Sequence, residues 1–245
     1  MTTKIAINGA CGRMGLTVGK LAAAGREFPI AEALEGAGFA GLGRDYGTFL
    51  GIDPIGVKVS HELAGRADSV IDFSTPDASL DRLAECAKRK TPMVVGTTGF
   101  TDAQKKQIAA AAKKLPILLS SNMSVGVNVL FRLAGDVAKL LGPDYDLDIV
   151  ETHHRFKKDA PSGTAKTLAD VIATATGRKV NVVSVRSGDV VGEHRVIFGS
   201  LGDSIEITHR ASSRDIFAKG ALRAAQWIAN AKPGLYSMQD VLDQP

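Results

Sequence analysis

Short apolar runs alternate with stretches of helical spacing through the first half of the chain. Lys4-Ile-Ala-Ile-Asn8 predicts a buried strand. Gly9-Ala-Cys-Gly12-Arg-Met-Gly15 leads from it into a helix that runs to about Ala24 and stops at Gly25. A second strand is expected over about Ile30–Leu34, and others at Gly56–Val59, Ser69–Phe73, Met93–Gly96 and Ile117–Ser120. Helices are expected from near His61, Pro76 and Thr101, the last opened by a Thr101-x-x-Gln104 capping box. Residues Gly36 to Gly56 are glycine-rich with little periodicity, which predicts a surface loop with one helical turn. Such alternation implies an α/β fold built on a Rossmann-type, doubly wound parallel sheet.

Past Asn122 the pattern changes. A long helix over about Val125–Leu141 precedes an apolar strand, Leu147–Glu151, and a second helix follows from Thr164 to about Thr176. Three alternating runs come next, Val180–Arg186, Glu193–Phe198 and Ser204–Ala211, separated by Ser-Gly-Asp and Ser-Leu-Gly-Asp turns. Turns of that kind predict antiparallel strands. This half is therefore expected to form a second, α+β domain with a mixed or antiparallel sheet. A last helix, about Ser213–Ala231, and a Met238–Leu242 turn are expected to close back over the first domain.

Two stretches carry candidate chemistry. The first is the glycine turn of residues 9–15, a G-x-x-G-x-x-G variant of the dinucleotide fingerprint placed between a first strand and its helix. Gly9 permits the tight turn, Gly12 lets backbone approach a pyrophosphate, and Gly15 allows close helix–sheet packing. Ala10, Cys11, Arg13 and Met14 complete the candidate cofactor turn, and Glu35, twenty residues past Gly15, is placed to meet the adenosine ribose. Gly96-Thr97-Thr98 and Ser120-Ser121-Asn122-Met123 end other strands; they line the nicotinamide half or are ordinary strand–helix turns.

The second stretch is Glu151-Thr-His-His-Arg-Phe-Lys-Lys-Asp-Ala-Pro-Ser-Gly-Thr-Ala165. His153 and His154 leave the end of a strand, Lys157 follows, and Ser162-Gly163-Thr164 opens a helix. A Ser-Gly-Thr turn alone is an ordinary helix cap, and paired histidines alone are surface or core residues more often than catalysts. Together they describe an anion cradle at a helix start with two acid/base groups beside it.

Composition narrows the field. The 245 residues are 44% apolar and 23% charged, sufficient for a full core. Lys and Arg total 30 against 26 Asp and Glu, a net charge of +4 spread along the chain, with 5% aromatics. That balance suits small anionic ligands and excludes nucleic acid as the expected partner. Cys11 and Cys86 make neither a disulfide framework nor a metal-ligand set. No signal-peptide pattern appears near Lys4 and no apolar run approaches about 18 residues, so no membrane partner and a cytoplasmic location are expected.

Beyond these readings the chain resembles the bacterial dihydrodipicolinate reductase family, also called 4-hydroxy-tetrahydrodipicolinate reductase. The resemblance runs end to end, through Gly9–Gly15, Asp72-Phe73, Gly96–Phe100, Asn122–Gly126, His153–Ala165, Val190–His194 and Ile207–Arg214. It implies hydride transfer from NAD(P)H to the ring of a cyclic imine dicarboxylate in lysine and diaminopimelate biosynthesis. His153 and Lys157 match the family's acid/base pair, with Lys157 the proton donor. His154, Ser162, Gly163 and Thr164 match the groups that hold the substrate carboxylates. It also implies a dinucleotide-binding domain over 1–122 and 215–245, a substrate-binding and oligomerisation domain over 123–214, and a homotetramer paired through the second sheet.

Two positions depart from the family pattern. Gly36 stands where many relatives carry arginine after the acid, which favours NADH while leaving NADPH possible through Arg13 or Arg44. The span from Gly177 to Val190 is short, which leaves a dimer as the alternative assembly. Two other functions share the plan. A semialdehyde dehydrogenase requires a cysteine nucleophile in the second domain, where there is none, and an NAD(H) sensor requires a further partner-binding module.

Overall fold

The strand of residues Ile5–Asn8 (β1) lies in the interior of a seven-stranded parallel sheet, and Ile5, Ala6 and Ile7 have no exposure to solvent. Helices cover both faces of such a sheet, so its strands are apolar throughout rather than alternating. The computed structural model describes residues 2–65 and 67–243. The chain runs β1, α1 (Arg13–Ala24), β2 (Ile30–Leu34), α2 (Tyr46–Leu50), β3 (Val59–Ser60), β4 (Ser69–Asp72), α3 (Pro76–Arg89), β5 (Met93–Val95), α4 (Asp102–Ala112) and β6 (Pro116–Leu119). Strand order is β6-β5-β4-β1-β2-β3 before a late strand is added. The chain thus reverses its direction of travel across the sheet between β1 and β4. That is the switch point where open α/β sheets leave a crevice beyond their carboxyl ends.

Two local features differ from the expectations. Among the described residues no helix begins near His61. The loop after β3 instead has its backbone groups satisfied by side chains: Arg82 donates to the His61 carbonyl (2.8 Å), Arg89 donates to that of Ala64 (3.1 Å), and Glu85 accepts from the Leu63 amide (3.0 Å). With those groups paired and Leu63 fully buried, helix formation has nothing to add. The glycine-rich stretch after Gly36 does contain the expected helical turn, α2, but it is not merely surface. Tyr46 has no exposure, and its hydroxyl donates to the carbonyls of Ala10 (2.9 Å) and Gly15 (3.0 Å), pinning the glycine turn from behind.

The chain then builds α5 (Val125–Leu141), β7 (Asp146–His153), α6 (Gly163–Thr176), β8 (Asn181–Arg186), β9 (Gly192–Gly199) and β10 (Ser204–Ala211). These strands form a separate four-stranded sheet in the order β10-β9-β7-β8. β9 is antiparallel to β7 and β10, but β8 pairs parallel to β7. The expectation of antiparallel pairing fails there because α6 intervenes: a strand–helix–strand crossover returns the chain in its original direction. α5 and α6 pack on one face, burying Leu130, Phe131, Ile149, Leu168, Val196 and Phe198. Their other face stays open, with Val183 (45%) and Val185 (39%) exposed beside two ion pairs, Arg195–Glu206 and Arg210–Glu193.

α7 (Asp215–Ile228) leads to a short strand, β11 (Gly234–Tyr236), and then to α8 (Met238–Asp243). β11 lies outside the strands that the hydrophobic pattern predicts; it pairs parallel with β6 and completes the first sheet. By contacts the chain forms two units, Met1–Met123 with Phe217–Pro245, and Ser124–Ile216. Among the described residues no helix is long and apolar enough to cross a membrane.

Candidate active site

Two constellations stand out, one in each unit. In the first unit the chain leaves β1 through Gly9, whose φ of +72° and closeness to Phe73 leave no room for a side chain: a Cβ there would lie 2.6 Å from the Phe73 carbonyl oxygen. A Cβ on Gly15 would strike the Gly9 oxygen at 2.1 Å, so α1 starts hard against the turn. Glu35, at the end of β2, accepts a hydrogen bond from the Cys11 amide (2.7 Å). A cavity of about 460 Å³ opens here, lined by Gly9, Gly12, Glu35, Gly36, Ser74 and Arg82 among others. Ala10 is buried, Met14 half-buried and Arg13 exposed. Arg44 is also exposed, its guanidinium 4.9 Å above the Phe49 ring.

Farther along the same strand ends lies a buried polar knot. Asp72, with no exposure, accepts from Asn8 (2.7 Å), Ser74 (2.6 Å) and Thr97 (2.7 Å), and Arg82 donates to the Asn8 side-chain oxygen (3.0 Å). Thr97 therefore spends its hydroxyl inward, while Thr98 faces out and Gly96 packs on the Phe73 ring. After β6, Ser120 donates to the Asn122 carbonyl (2.8 Å), Ser121 is exposed, and Met123 is buried. Gly96–Thr98 and Ser120–Met123 do not line the cavity at the glycine turn. Burial pushes the Cys11 thiol up to about 11, helped by the Glu35 charge, and pushes Cys86 up to about 12. Neither is a nucleophile near neutral pH.

In the second unit the site grows from the alternation along β7. Its core-facing positions are Leu147, Ile149, Glu151 and His153, so the same period that buries two apolar side chains buries a carboxylate and an imidazole. Glu151 has no exposure and is fully engaged. Arg186, at the end of β8, donates to both its oxygens (2.8 and 3.0 Å), the Ser162 amide donates to Oε1 (3.2 Å), and His153 Nδ1 contacts Oε2. Arg186 also donates to the carbonyls of Lys157 (3.3 Å) and Asp159 (2.5 Å), tying down the loop that follows β7. On that loop Lys157 Nζ lies 2.9 Å from Asp159, while His154 is half-buried, its ring 6.4 Å from that of Phe156.

Ser162 caps α6 by accepting from the Ala165 amide (3.2 Å), and its Oγ lies 3.2 Å from His194 Nε2. Gly163 is exposed with nothing within 4 Å of a notional Cβ, so the helix start is open at that point. Thr164 is half-buried in the first turn. The structure thus brings His153, His154, Lys157, Ser162, Gly163 and Thr164 onto one strand–loop–helix. Sequence reasoning assigned no role to Glu151, Arg186, His194 or His209. The signal was present: each histidine falls in register with apolar neighbours, His194 with Val196 and Phe198, His209 with Ile205 and Ile207. A polar side chain on the buried phase of a strand marks a site.

Electrostatics follow the burial. Desolvation opposes the charged form of Glu151, but hydrogen bonds from Arg186, Ser184 and His153 outweigh it and hold the carboxyl at about 2. Burial lowers His153 below its ordinary value; Glu151 pulls upward, and Lys157 and Arg186 push down. Burial, and then the neighbouring His153, take His194 down to about 4.

Two family models match the chain, "Dihydrodipicolinate reductase, N-terminus" over residues 3–123 and "Dihydrodipicolinate reductase, C-terminus" over residues 126–242. It is 45% identical to the 4-hydroxy-tetrahydrodipicolinate reductase of Geotalea uraniireducens (strain Rf4), over 98% of both chains. Identity to the protein of that name from Anaeromyxobacter dehalogenans (strain 2CP-1) is 44%, over 98% of this chain and 97% of the other. Among solved structures, the dipicolinate-bound dihydrodipicolinate reductase of Paenisporosarcina sp. TG-14 shares the fold, with a TM-score of 0.82 at 24% identity, over 98% and 99% of the two chains.

The depressed His194 has a consequence for stability. The unfolded chain takes up a proton near pH 6.5 that the folded state refuses until about 4, so folding stability declines as pH falls through that window and is unaffected above it. Between pH 7.5 and 4.5 this group costs on the order of a few kcal/mol, and Glu151 adds to the loss as pH falls through its ordinary carboxylate range. The groups facing His194 are His153, Glu151, His209 and Lys157. Denaturant unfolding at these two pH values is expected to show the loss, and His194→Gln, which keeps a polar partner for Ser162, is expected to reduce it, leaving the share of His153 and His209.

Proposed function

The chain belongs to the dihydrodipicolinate reductase family, and from that premise we propose how its residues carry the reaction. It is an NAD(P)H-dependent oxidoreductase acting on 4-hydroxy-tetrahydrodipicolinate in lysine and diaminopimelate biosynthesis. The observation that carries the assignment of roles is the second unit's single strand–loop–helix, which holds His153, Lys157 and the open start of α6 together. Residues 1–122 and 215–245 take the dinucleotide and residues 123–214 take the substrate.

The first unit fits a dinucleotide, since its glycine turn has no space for side chains and Gly12 and Glu35 share one cavity. Gly9, Ala10, Cys11, Gly12, Arg13 and Met14 form the pyrophosphate turn, and Glu35 receives the ribose hydroxyls. The rim of Gly96–Thr98 and Ser120–Met123 serves the nicotinamide end. When bound, NAD(P)H supplies the hydride.

His154, Gly163 and Thr164 hold the ring carboxylates at the α6 start, where helix geometry favours anions. Ser162 acts from behind, because its amide and hydroxyl already have inward partners. Overall the 4-hydroxyl leaves the ring as water, and one hydride and one proton are added across the conjugated imine, giving tetrahydrodipicolinate. Electron density left on the ring nitrogen or enamine carbon takes its proton from Lys157, which is replenished from water. Resting Lys157 on exposed Asp159 costs little to undo, about 0–1 kcal/mol for such a pair. His153, held neutral near pH 7 by its burial, is the partner acid/base group.

The open face of the second sheet is an interface between copies, and the assembly is a homotetramer, with a dimer as the alternative. Exposed Val183 and Val185 on the edge strand support it, since such edges are covered in stable proteins. The enzyme works in the cytoplasm. Light scattering at micromolar concentration is expected to give four subunits' mass; a monomer overturns the assembly.

Lys157→Ala and His153→Ala are each expected to lower kcat by roughly 10²–10⁴-fold with KM for the cofactor little changed. A Lys157→Ala variant with near-normal kcat removes Lys157 as the donor.

Cofactor preference follows from Glu35-Gly36. With one oxygen already held by the Cys11 amide, the carboxylate is oriented for the ribose hydroxyls and repels a 2′-phosphate. Gly36 has nothing within 4 Å of a notional Cβ and offers the phosphate no cation. We expect NADH over NADPH by about tenfold or more in kcat/KM, a difference of ~1.4 kcal/mol. Gly36→Arg is expected to narrow the gap. Equal or better use of NADPH at one ionic strength sinks the argument, and points to Arg13 or Arg44 as the phosphate's partner.

A further inference from the structure

We propose that Glu151 is a positioning residue for the reaction: held by Arg186, it fixes the His153 ring with its proton on Nδ1 and, through the Ser162 amide, fixes the start of α6 in the same stroke. The proposal rests on His153 being an acid/base group and goes beyond it in naming what orients that group. A carboxylate with no exposure is costly to bury unless its charge is met, and here every contact it makes has a direction. Arg186 meets it with two parallel hydrogen bonds, the fork geometry that suits a carboxylate, and leaves the pair without net charge. That neutrality matters beside a cradle for a dianion, which a bare carboxylate would repel.

The carboxylate's remaining capacity serves the site. Its Oε2 meets His153 Nδ1, and its Oε1 accepts from the Ser162 amide at 3.2 Å. An ionised carboxylate has no proton to give, so Nδ1 is the donor and Nε2 keeps its lone pair. Nε2 lies beside Gly192, where a Cβ would approach it to 3.1 Å, so glycine leaves the working nitrogen uncrowded. The charged and titratable groups around the ring are Glu151 on its own strand, Arg186 from β8, His194 from β9 and Lys157 from the loop. Only Glu151 among them favours the imidazolium, so its loss moves the His153 titration to lower pH.

The sign of the substrate effect separates this role from simple support of the fold. Glu151→Gln removes the negative charge and leaves the Arg186 guanidinium unmatched beside the cradle. We expect kcat to fall about 10- to 100-fold, the range seen for carboxylates that orient metal-bound histidines, with the KM for substrate unchanged or lower. General loosening of the site raises KM instead. In the double variant Glu151→Gln/His153→Ala, kcat is expected to equal that of His153→Ala alone, because the Gln carbonyl oxygen can still accept from the Ser162 amide and what the substitution removes acts through the ring.

Steady-state kinetics of wild type, both single variants and the double variant, with ¹⁵N histidine spectra of wild type and Glu151→Gln, make the test. A wild-type His153 carrying its proton on Nε2 overturns the proposal without any variant, which covers the case in which Glu151→Gln does not fold. A folded Glu151→Gln with wild-type kcat and an unmoved His153 titration also overturns it. Normal kcat in His153→Ala sinks the underlying assignment of His153 instead, so the two failures are distinct.

Discussion

A carboxylate sealed from water holds the second unit's chemistry together. Breaking one partner of such a buried pair typically costs roughly 3–5 kcal/mol, because it strands a charge in a poor solvent. Glu151 and Arg186 sit at the ends of adjacent parallel strands, so the pair closes only when β7 and β8 are in register. Arg186 in turn holds the carbonyls of Lys157 and Asp159. Strand pairing, loop conformation and the pose of His153 are therefore one condition, not three.

The first unit uses a related device. Before α1 and before α6 alike, a strand-end carboxylate accepts an amide from the turn: Glu35 from Cys11, and Glu151 from Ser162. A helix start attracts negative charge, and a built-in acid answers part of that demand while fixing the turn. The outcomes differ with burial. Glu35 borders an open cavity where it can discriminate ligands, whereas Glu151 is enclosed and acts on its neighbours.

Much of this is legible in the residues. Apolar strands alternating with helices announce a parallel sheet, and a glycine turn set between strand and helix can hardly be anything but a close backbone approach. Direction is harder. Turn residues between β8, β9 and β10 signal reversals, but β8 follows a helix, and the crossover rule outweighs the turns that come after it. The loop after β3 escapes local spacing because its partners are Arg82, Glu85 and Arg89, all distant in sequence. β11 is too short to announce itself. Glu151 and His194 are visible as polar residues on a buried phase, yet their partners are not, since pairing across a sheet depends on register that a single chain's pattern leaves open.

The parallel return of β8 bears on how movable this chemistry is. The block from Glu151 to Ala165 is contiguous and looks self-sufficient, but its guanidinium arrives 35 residues after the carboxylate it neutralises. On a nascent chain that has emerged only as far as Gly177, both histidines, the lysine and the helix cap exist without it. A strand–loop–helix cut out and grafted onto another scaffold carries the motif and not the site, and what it lacks is a single arginine at a register position of a strand that runs the same way.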